Sequence, residues 1–337
     1  MSQSRHAADG SRDQTGDRFK AEKARAGQKT KPAPGSRLSR LAHLWVPNQP
    51  GAWAMALLPP LAGMLIGGLT WRNVLVFVTW LLCYCTEFTA SRWLVSHMSD
   101  RFLPPAATYA GLTAVSGLAL LVSTPGLLRW VPLYALLAAL TFWAAWTRSE
   151  RSLWNNLVSV IAASTLCLIE VSMGAAAQGQ AGHAVRSGGR GQTAVLMTSY
   201  FGCSPDPAVN CFAEGFFPAR AFPLIGLVAA LMFAYTEFGS VLFVKSMIRE
   251  RRNPWCYAAS VAWNLILCAA AAWVLPRVGF WPLAAALISL ARAAITPLVG
   301  KKRRIPILHV GMIESFTSLV VFFVTVGTAA PIAGLFG

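Results

Sequence analysis

Four ionisable side chains lie inside long apolar segments of this 337-residue chain: Glu87, Glu237, Arg292 and Glu314. An unpaired charge at the centre of a bilayer costs at least about 2.5–3.5 kcal/mol, so such residues usually face one another inside a helical bundle. We therefore expect a buried cluster in which Arg292 pairs with Glu237 or with Glu314. Buried carboxylates of this kind are typical of proton relays, but they can also serve only to fix the register of helices.

Cationic side chains gather near one end of the same segments. They are Arg92, Arg148, Lys245, Arg249 and Arg251. Cations at this density suit a phosphate or carboxylate head group. We interpret them as the rim of a polar pocket that opens to the cytoplasm. The alternative is that they only reflect the positive bias of cytoplasmic loops.

The composition is that of an integral membrane protein. The chain is 55% hydrophobic and 12% charged, whereas a soluble domain carries about 25% charged residues. Nine apolar stretches are close to the roughly 20 residues that a spanning helix needs. They are about 51–69, 73–91, 105–123, 128–146, 155–175, 222–245, 256–275, 279–299 and 308–330. The expected fold is an all-α, nine-helix membrane domain over residues 47–337, with its helices around a central cavity.

A repeat relates the two halves of this domain. Residues 86–88, Thr-Glu-Phe, recur 150 positions later as residues 236–238. The same spacing continues through the pairs Ser96 and Ser246, Asp100 and Glu250, Arg101 and Arg251, Pro104 and Pro254, Pro132 and Pro282, and Leu133 and Leu283. Predicted helices 2–4 thus map onto helices 6–8 as a parallel repeat, with its axis along the membrane normal. The alternative is that apolar helices resemble one another.

The distribution of positive charge predicts the orientation. Residues 1–46 hold ten Lys and Arg and four Asp and Glu, without an apolar core, so we expect a disordered basic tail that favours anionic lipid. The tail and the loops after helices 2, 4, 6 and 8 together hold 22 of the 29 Lys and Arg residues, and the other side holds six. This places the N-terminus in the cytoplasm and the C-terminus outside, in a bacterial inner membrane. The net charge of +16 therefore does not indicate a nucleic-acid partner.

The side predicted to lie outside the cytoplasm carries a long loop, about residues 176–220. A disulfide between its Cys203 and Cys211 is chemically allowed there, and two free thiols are the alternative. Glu170, near the outer end of predicted helix 5, could simply be interfacial. No His or Cys spacing suits zinc or haem, so the sequence assigns no metal and leaves the cofactor unknown.

Two stretches of sequence resemble the YwiC-like family of bacterial membrane proteins, whose biochemical role is undefined. They are residues 45–67, which open the first predicted helix, and residues 235–251 around the second Thr-Glu-Phe. The likeness covers residues 45–327 apart from the 176–220 insertion. Its most specific pieces are Gly51-Ala52-Trp53-Ala54-Met55, Glu150-Arg151-Ser152-Leu153 followed by Asn155, and Val244-Lys245 with Ile248-Arg249-Glu250-Arg251.

The chain departs from this family at two polar positions. Family members commonly have a histidine where this chain has Pro50, so a role of that histidine is lost or moved. They often have an aspartate where this chain has Asn156. We take Asn155 and Asn156 as further candidates for lining the polar pocket.

The architecture also resembles that of UbiA-type intramembrane prenyltransferases, which have nine helices, two parallel halves and signature motifs at the cytoplasmic ends of helices 2 and 6. That resemblance implies a central cavity with a lateral opening to lipid. Those enzymes hold Mg²⁺ with Asp-rich clusters. Here the acidic pairs are Glu87 with Asp100 and Glu237 with Glu250, each 13 residues or about 20 Å apart along a helix, which is too far to share an ion. We therefore expect a scaffold without the metal-dependent reaction and lean against an enzyme.

Three functions follow as hypotheses. The leading one is binding of an amphipathic or isoprenoid-type lipid, such as a lipid phosphate, in the cytoplasm-facing cavity. The second is a small-solute or proton-coupled transporter, which the buried carboxylates favour. The third is a subunit of a larger membrane complex.

Overall fold

The computed structural model describes residues 44–47, 50–150, 152–174, 223–251, 253–302 and 305–335. These residues form nine α-helices and no strand. The helices are α1 (Pro50–Gly67), α2 (Trp71–Val95), α3 (Leu103–Ser123), α4 (Val131–Trp146), α5 (Leu153–Met173), α6 (Leu224–Ile248), α7 (Pro254–Val278), α8 (Trp281–Lys302) and α9 (Ile307–Ala333). A 3-10 helix, Pro125–Trp130, precedes α4. The all-α prediction is confirmed. The predicted loop 176–220, with Cys203 and Cys211, and the predicted tail up to residue 43 lie outside the described residues.

The helices are built to cross a membrane. Eight of them, α2 to α9, are long and apolar enough to span, with α4 extended by its 3-10 turn. The shorter α1 is also apolar and lies in the same compact unit, Pro47–Gly337. The chain is thus a multi-pass membrane protein, as predicted, and its surroundings are a lipid bilayer.

Polar and proline residues set several helix starts. Thr70 caps α2 and Ser152 caps α5, each accepting a hydrogen bond from the backbone N–H three residues on. Helices α3, α4 and α7 each have proline in the first turn, where the missing N–H costs nothing. These local signals explain why the helices begin within a few residues of their predicted starts.

Four helices form the centre of the bundle. Helix α1 packs against α5 and α9, and α6 packs against the same two helices from the other side. Helices α2, α3 and α4 are attached through α5 and α1, whereas α7 and α8 are attached through α6 and α9. Helix α5 is the most buried of the eight spans. Side chains on α5 and α6 therefore sit deepest in the protein.

Glycine allows α1 and α5 to approach closely. A Cβ at Gly63 would lie 2.5 Å from the Cys167 carbonyl oxygen, and one at Gly67 would lie 2.9 Å from the Cα of Val171. Small residues are what permit such backbone contact between membrane helices. The contact brings the C-terminal end of α1 directly against α5.

Helix α1 contains Pro59 and Pro60, and a neighbouring helix compensates for the second of them. Pro60 lacks the N–H that would bond to the Ala56 carbonyl within the helix. That carbonyl instead accepts a hydrogen bond from Trp80 Nε1 of α2 at 2.8 Å. A neighbouring helix therefore satisfies the freed group, as the bilayer interior requires.

The helices of the two halves follow one another at matching positions, but they pack differently. The starts of α6, α7 and α8 lie within three residues of the positions 150 after those of α2, α3 and α4. The matching interfaces bring neighbouring repeat positions together: the Thr113 hydroxyl lies 2.9 Å from that of Thr86, and Trp263, 150 positions after Thr113, stacks on Tyr235, the residue before the counterpart of Thr86. However, α7 packs along α8, whereas α3 and α4 make little direct contact. Helix α6 is central and α2 is peripheral, so the repeated motif lies in two different environments.

Candidate functional site

A buried ion pair joins α8 to α9. Nη1 of Arg292 lies 2.6 Å from Oε2 of Glu314, and the two side chains are 4% and 6% exposed. Nη2 of Arg292 donates a hydrogen bond to the Ser240 hydroxyl of α6 at 3.2 Å. The guanidinium also lies over the Phe243 ring, 4.7 Å from its centre. Of the two partners that the sequence allows Arg292, the structure places Glu314 in the ion pair.

Glu237 lies beside this pair without a counter-ion. It precedes Ser240 by almost one turn of α6 and is 8% exposed. Its Oε2 has no hydrogen-bond partner among the described residues. It is close enough to Glu314 for the two carboxylates to interact electrostatically. With both acids ionised, the three side chains carry a net charge of −1, which one proton or one monovalent cation would neutralise.

A small polar pocket surrounds Glu237. It lies between α1, α6, α8 and α9, and its lining residues are Leu58, Phe233, Thr236, Glu237, Ser240, Ser289, Arg292, Thr317, Ser318 and Val321. The pocket has room for about one water molecule. The cavity expected at the bundle centre is therefore narrow here, because α1, α6 and α9 pack directly against one another.

Hydroxyl groups of the pocket leave acceptor sites open. Thr236 donates to the Met232 carbonyl at 2.7 Å, and Thr317 donates to the Ile313 carbonyl at 2.9 Å. A hydroxyl that donates to its own helix still has oxygen lone pairs to accept with. The pocket can therefore accept hydrogen bonds from a water molecule, a protonated carboxyl or a small polar solute.

The start of α1 lies beside the ion pair. A Cβ at Gly51 would be 3.9 Å from the Glu314 Cγ, an ordinary contact distance. Trp53 then anchors this end of α1, since its Nε1 donates to the Pro47 carbonyl at 2.8 Å and its ring meets Tyr84 edge-on. The Gly-Ala-Trp stretch that carries the family resemblance thus borders the polar pocket.

Other predicted site residues form a separate group. Glu87 of α2 is half-buried, accepts a hydrogen bond from the Ser91 hydroxyl at 3.3 Å and lies within electrostatic range of Glu150. Asn155 is buried, and its Nδ2 donates to the Glu150 carbonyl at 2.9 Å, while Asn156 is half-buried. The structure does not bring Glu87, Asn155 or Asn156 to the Glu237 pocket: α2 packs mainly against α3 and α4, and the two asparagines lie in the first turn of α5.

The predicted cationic rim lies on one face of the bundle but does not line the pocket. We call this face the basic face; among the described residues it is formed by residues 92–102, 147–150 and 245–251 and by Gly300. Within it, Arg148 Nη2 lies 3.0 Å from His97 Nε2, and Arg251 donates to the Gly300 carbonyl. Arg92 stacks over the rings of Phe88 and Phe102. Arg249 is exposed and Lys245 is half-buried.

Sequence reasoning missed one buried acid. Glu170 is 0% exposed, so its side chain lies inside the protein and not on its surface. Asn73 Nδ2 of α2 donates to the Glu170 carbonyl at 2.8 Å and also to its Oε2, and Oε1 has no partner among the described residues. The available signal was the pair Gly63 and Gly67, four residues apart on α1, whose missing side chains let α1 cover Glu170.

The structure offers no metal centre in the part of the chain that it describes. Within residues 50–150, 152–174, 223–251, 253–302 and 305–335, no three His, Cys, Asp or Glu side chains come together in a way that could hold an ion. In the same residues the five cysteines, including Cys167 in the core, are free thiols.

Part of the chain matches a known protein family. Residues 46–171 match the family described as YwiC-like protein, which confirms that resemblance over α1 to α4 and most of α5. A Haemophilus influenzae protein described as "Uncharacterized protein" is 26% identical over 287 residues, covering 83% of this chain and 96% of that protein. No solved structure matches the chain, so the likeness to UbiA-type enzymes stays a prediction.

Proposed function

We propose that this protein is a proton-coupled carrier of the bacterial inner membrane, with Glu237 as its proton-binding residue. One observation carries the proposal: a buried carboxylate with an unpartnered oxygen lies inside a spanning helix, next to an ion pair that is already neutral. Ionisable residues in such positions are characteristic of proton and ion pathways.

The charge arrangement supports a site that alternates between two states. With a proton on Glu237 the cluster is neutral, and without it the cluster carries one excess negative charge. Arg292 is held by Glu314 and Ser240, so it is not free to compensate this charge fully. A proton, or a conformational change that admits water, is then the available compensation.

The pocket size favours this function over the lipid-binding one. Room for about one water molecule suits a proton and its hydration, and a modest opening of α8 against α6 would admit a small solute. An isoprenoid chain would require the central helices to separate. The lipid hypothesis therefore has no support from the pocket itself.

We further propose that the basic face points to the cytoplasm, following the positive bias of cytoplasmic loops. Glu237 is eight residues from Lys245 on α6, which corresponds to about 12 Å of helix. Protons would reach Glu237 from this end of α6, because the other end of the helix is thirteen residues away. In this orientation residues 1–46 form a cytoplasmic tail.

The test is proton flux in proteoliposomes that contain a trapped pH indicator, with the membrane potential clamped by potassium and valinomycin. We compare the wild type with Glu237→Gln, which keeps the shape of the side chain and cannot hold the proton. Glu87→Gln is the matched control, because it changes the same Thr-Glu-Phe motif outside the pocket. Flux should fall to the level of protein-free liposomes in Glu237→Gln and persist in Glu87→Gln. Equal flux in all three proteins would refute the proposal.

A second candidate function, binding of an anionic lipid phosphate, is favoured by the basic face alone. There Arg92 and Arg148 come from the ends of two different helices, and exposed Arg249 adds a third cation. Lipids retained in nanodiscs can be identified by mass spectrometry. Enrichment of a lipid phosphate that is lost in an Arg92→Gln/Arg148→Gln variant and kept in Arg277→Gln, an exposed arginine near the opposite end of α7, would support it.

A further inference from the structure

A second buried acid lies towards the other face of the bundle. Glu170 is three residues from the end of α5, whereas Glu237 is thirteen residues from the start of α6, which lies on that same face. At 1.5 Å per residue the two positions differ in depth by about 15 Å. The two carboxylates therefore lie at different depths of the bundle.

The environment of Glu170 contains no compensating cation among the described residues. Its hydrogen-bond donor is Asn73 of α2, and Gly63 and Gly67 of α1 pack against it. The titratable side chains within electrostatic range are Tyr134 of α4 and Cys167 of α5. Tyr134 already donates its hydroxyl hydrogen to the Ala162 carbonyl at 2.9 Å. Like Glu237, this acid is buried with one unpartnered oxygen, and a proton would neutralise it.

An apolar layer separates the two acids. It consists of Ala62, Cys167, Ala229, Phe233, Val321, Phe322 and Ala329 from α1, α5, α6 and α9. Phe233 is almost fully buried and also forms one wall of the Glu237 pocket. Cys167 precedes Glu170 by almost one turn and lies within electrostatic range of both acids. The layer therefore begins at one carboxylate and ends at the other.

We propose that Glu170, held by Asn73, is a second proton-binding site and that the layer around Phe233 is the barrier between the two sites. The inference rests on the proposed function, since it gives the proton on Glu237 a destination. In the transfer, the O–H bond at Glu170 first breaks and its proton leaves towards that face of the bundle; the O–H bond at Glu237 then breaks, water carries the proton, and a new O–H bond forms at Glu170 Oε1, with no electron transferred. The layer must open for water to connect the sites, because no polar side chain of its own members bridges them.

The test removes the barrier and asks whether the leak needs Glu170. Phe233→Ala should admit water and raise the passive proton leak of proteoliposomes above that of the wild type. Phe323→Ala is the control, because this phenylalanine is 65% exposed on the same helix as Phe322 and lies outside the layer. Adding Glu170→Gln to Phe233→Ala should abolish this leak, down to the level of protein-free liposomes, and so should adding Glu237→Gln.

Three other outcomes would overturn the second site, the proposed function or the barrier. A Phe233→Ala leak that persists with Glu170→Gln but stops with Glu237→Gln overturns the second site and leaves the proposed function standing. A leak that persists in Phe233→Ala combined with either Glu170→Gln or Glu237→Gln overturns both the second site and the proposed function. Absence of a leak in Phe233→Ala, or an equal leak in Phe323→Ala, overturns the barrier.

A second measurement does not depend on the tolerance of the core for Phe233→Ala. Infrared spectroscopy of the full-length protein detects the C=O stretch of protonated carboxylic acids. Glu170→Gln alone should remove one such band, and Asn73→Leu should shift it because the hydrogen bond to Glu170 Oε2 is lost. A spectrum in which Glu170→Gln removes no carboxylic acid band would contradict a proton at this site.

Discussion

Arg292 and Glu314 lie 2.6 Å apart inside the bundle, and both side chains are shielded from their surroundings. Because the pair is neutral, Glu237 becomes the side chain whose charge state decides the charge of the pocket. The same geometry divides three buried acids into two kinds: Glu314, which has a fixed counter-ion, and Glu237 and Glu170, which have none within the described part of the chain. This distinction underlies the proposed function.

The ion pair should behave as a unit in stability measurements. Arg292→Gln leaves Glu314 buried without its partner, and such breaks cost about 3–5 kcal/mol. The double variant Arg292→Gln/Glu314→Gln should recover part of this loss, because neither buried charge remains. Thermal unfolding in nanodiscs measures the effect, with Arg277→Gln as the exposed control. Simple additivity of the two single changes would show that the pair is not coupled.

The contact between α1 and α5 should not tolerate a methyl group. Gly63→Ala would place a Cβ 2.5 Å from the Cys167 carbonyl oxygen, so the two helices must separate. Overpacking of this kind typically costs about 1–3 kcal/mol. Gly117→Ala on α3 is the matched control, since its Cβ would meet no atom within 4 Å. We expect a lower unfolding temperature for Gly63→Ala only, and equal temperatures would mean that the helices are not so close.

Trp80 should matter through its indole N–H. Trp80→Phe keeps most of the ring but leaves the Ala56 carbonyl, freed by Pro60, without its donor. An unsatisfied buried polar group costs about 1–3 kcal/mol. Trp143→Phe on α4, where the side chain is largely exposed, is the comparison. A loss of stability that is no larger at Trp80 than at Trp143 would remove this explanation of how α1 accommodates its prolines.

Asn73 should stabilise the protein through its two hydrogen bonds to Glu170. Asn73→Leu removes the donor to both the carbonyl and the carboxyl of Glu170, and we expect a loss of about 1–3 kcal/mol. Asn156→Leu, at a half-buried position on α5, provides the control for the same change. If Glu170→Gln is combined with Asn73→Leu, the loss should shrink, because the acid that needs the amide is gone. An unchanged loss in the double variant would place the effect of Asn73 elsewhere.

The sequence predicts the helices well because each signal is local. Apolar length marks the spans, and Thr70, Ser152 and the first-turn prolines mark the starts. The sequence also predicts that Arg292 pairs with Glu237 or Glu314, because both acids lie at a depth similar to its own. The choice between them depends on the rotation of α9 against α8, which no local pattern specifies.

The repeat shows that the sequence does not predict which copy of a motif is buried at the centre of the bundle. Glu87 and Glu237 occupy the same motif, and sequence treats them alike, yet only Glu237 lies in the pocket. The difference comes from packing, since α6 contacts both α5 and α9 closely whereas α2 lies on the outside of α1 and α5. The burial of Glu170 was missed for a related reason, because it depends on how α1 crosses α5.

The most direct test of the central claim is an infrared spectrum of the wild type beside Glu237→Gln, with Glu87→Gln as the control. A proton on Glu237 predicts a carboxylic acid C=O band that is lost in Glu237→Gln and kept in Glu87→Gln. The band should also respond when Arg292→Gln frees Glu314 beside it. If Glu237→Gln removes only a carboxylate band, Glu237 is ionised in the resting protein and the proton-binding account is contradicted.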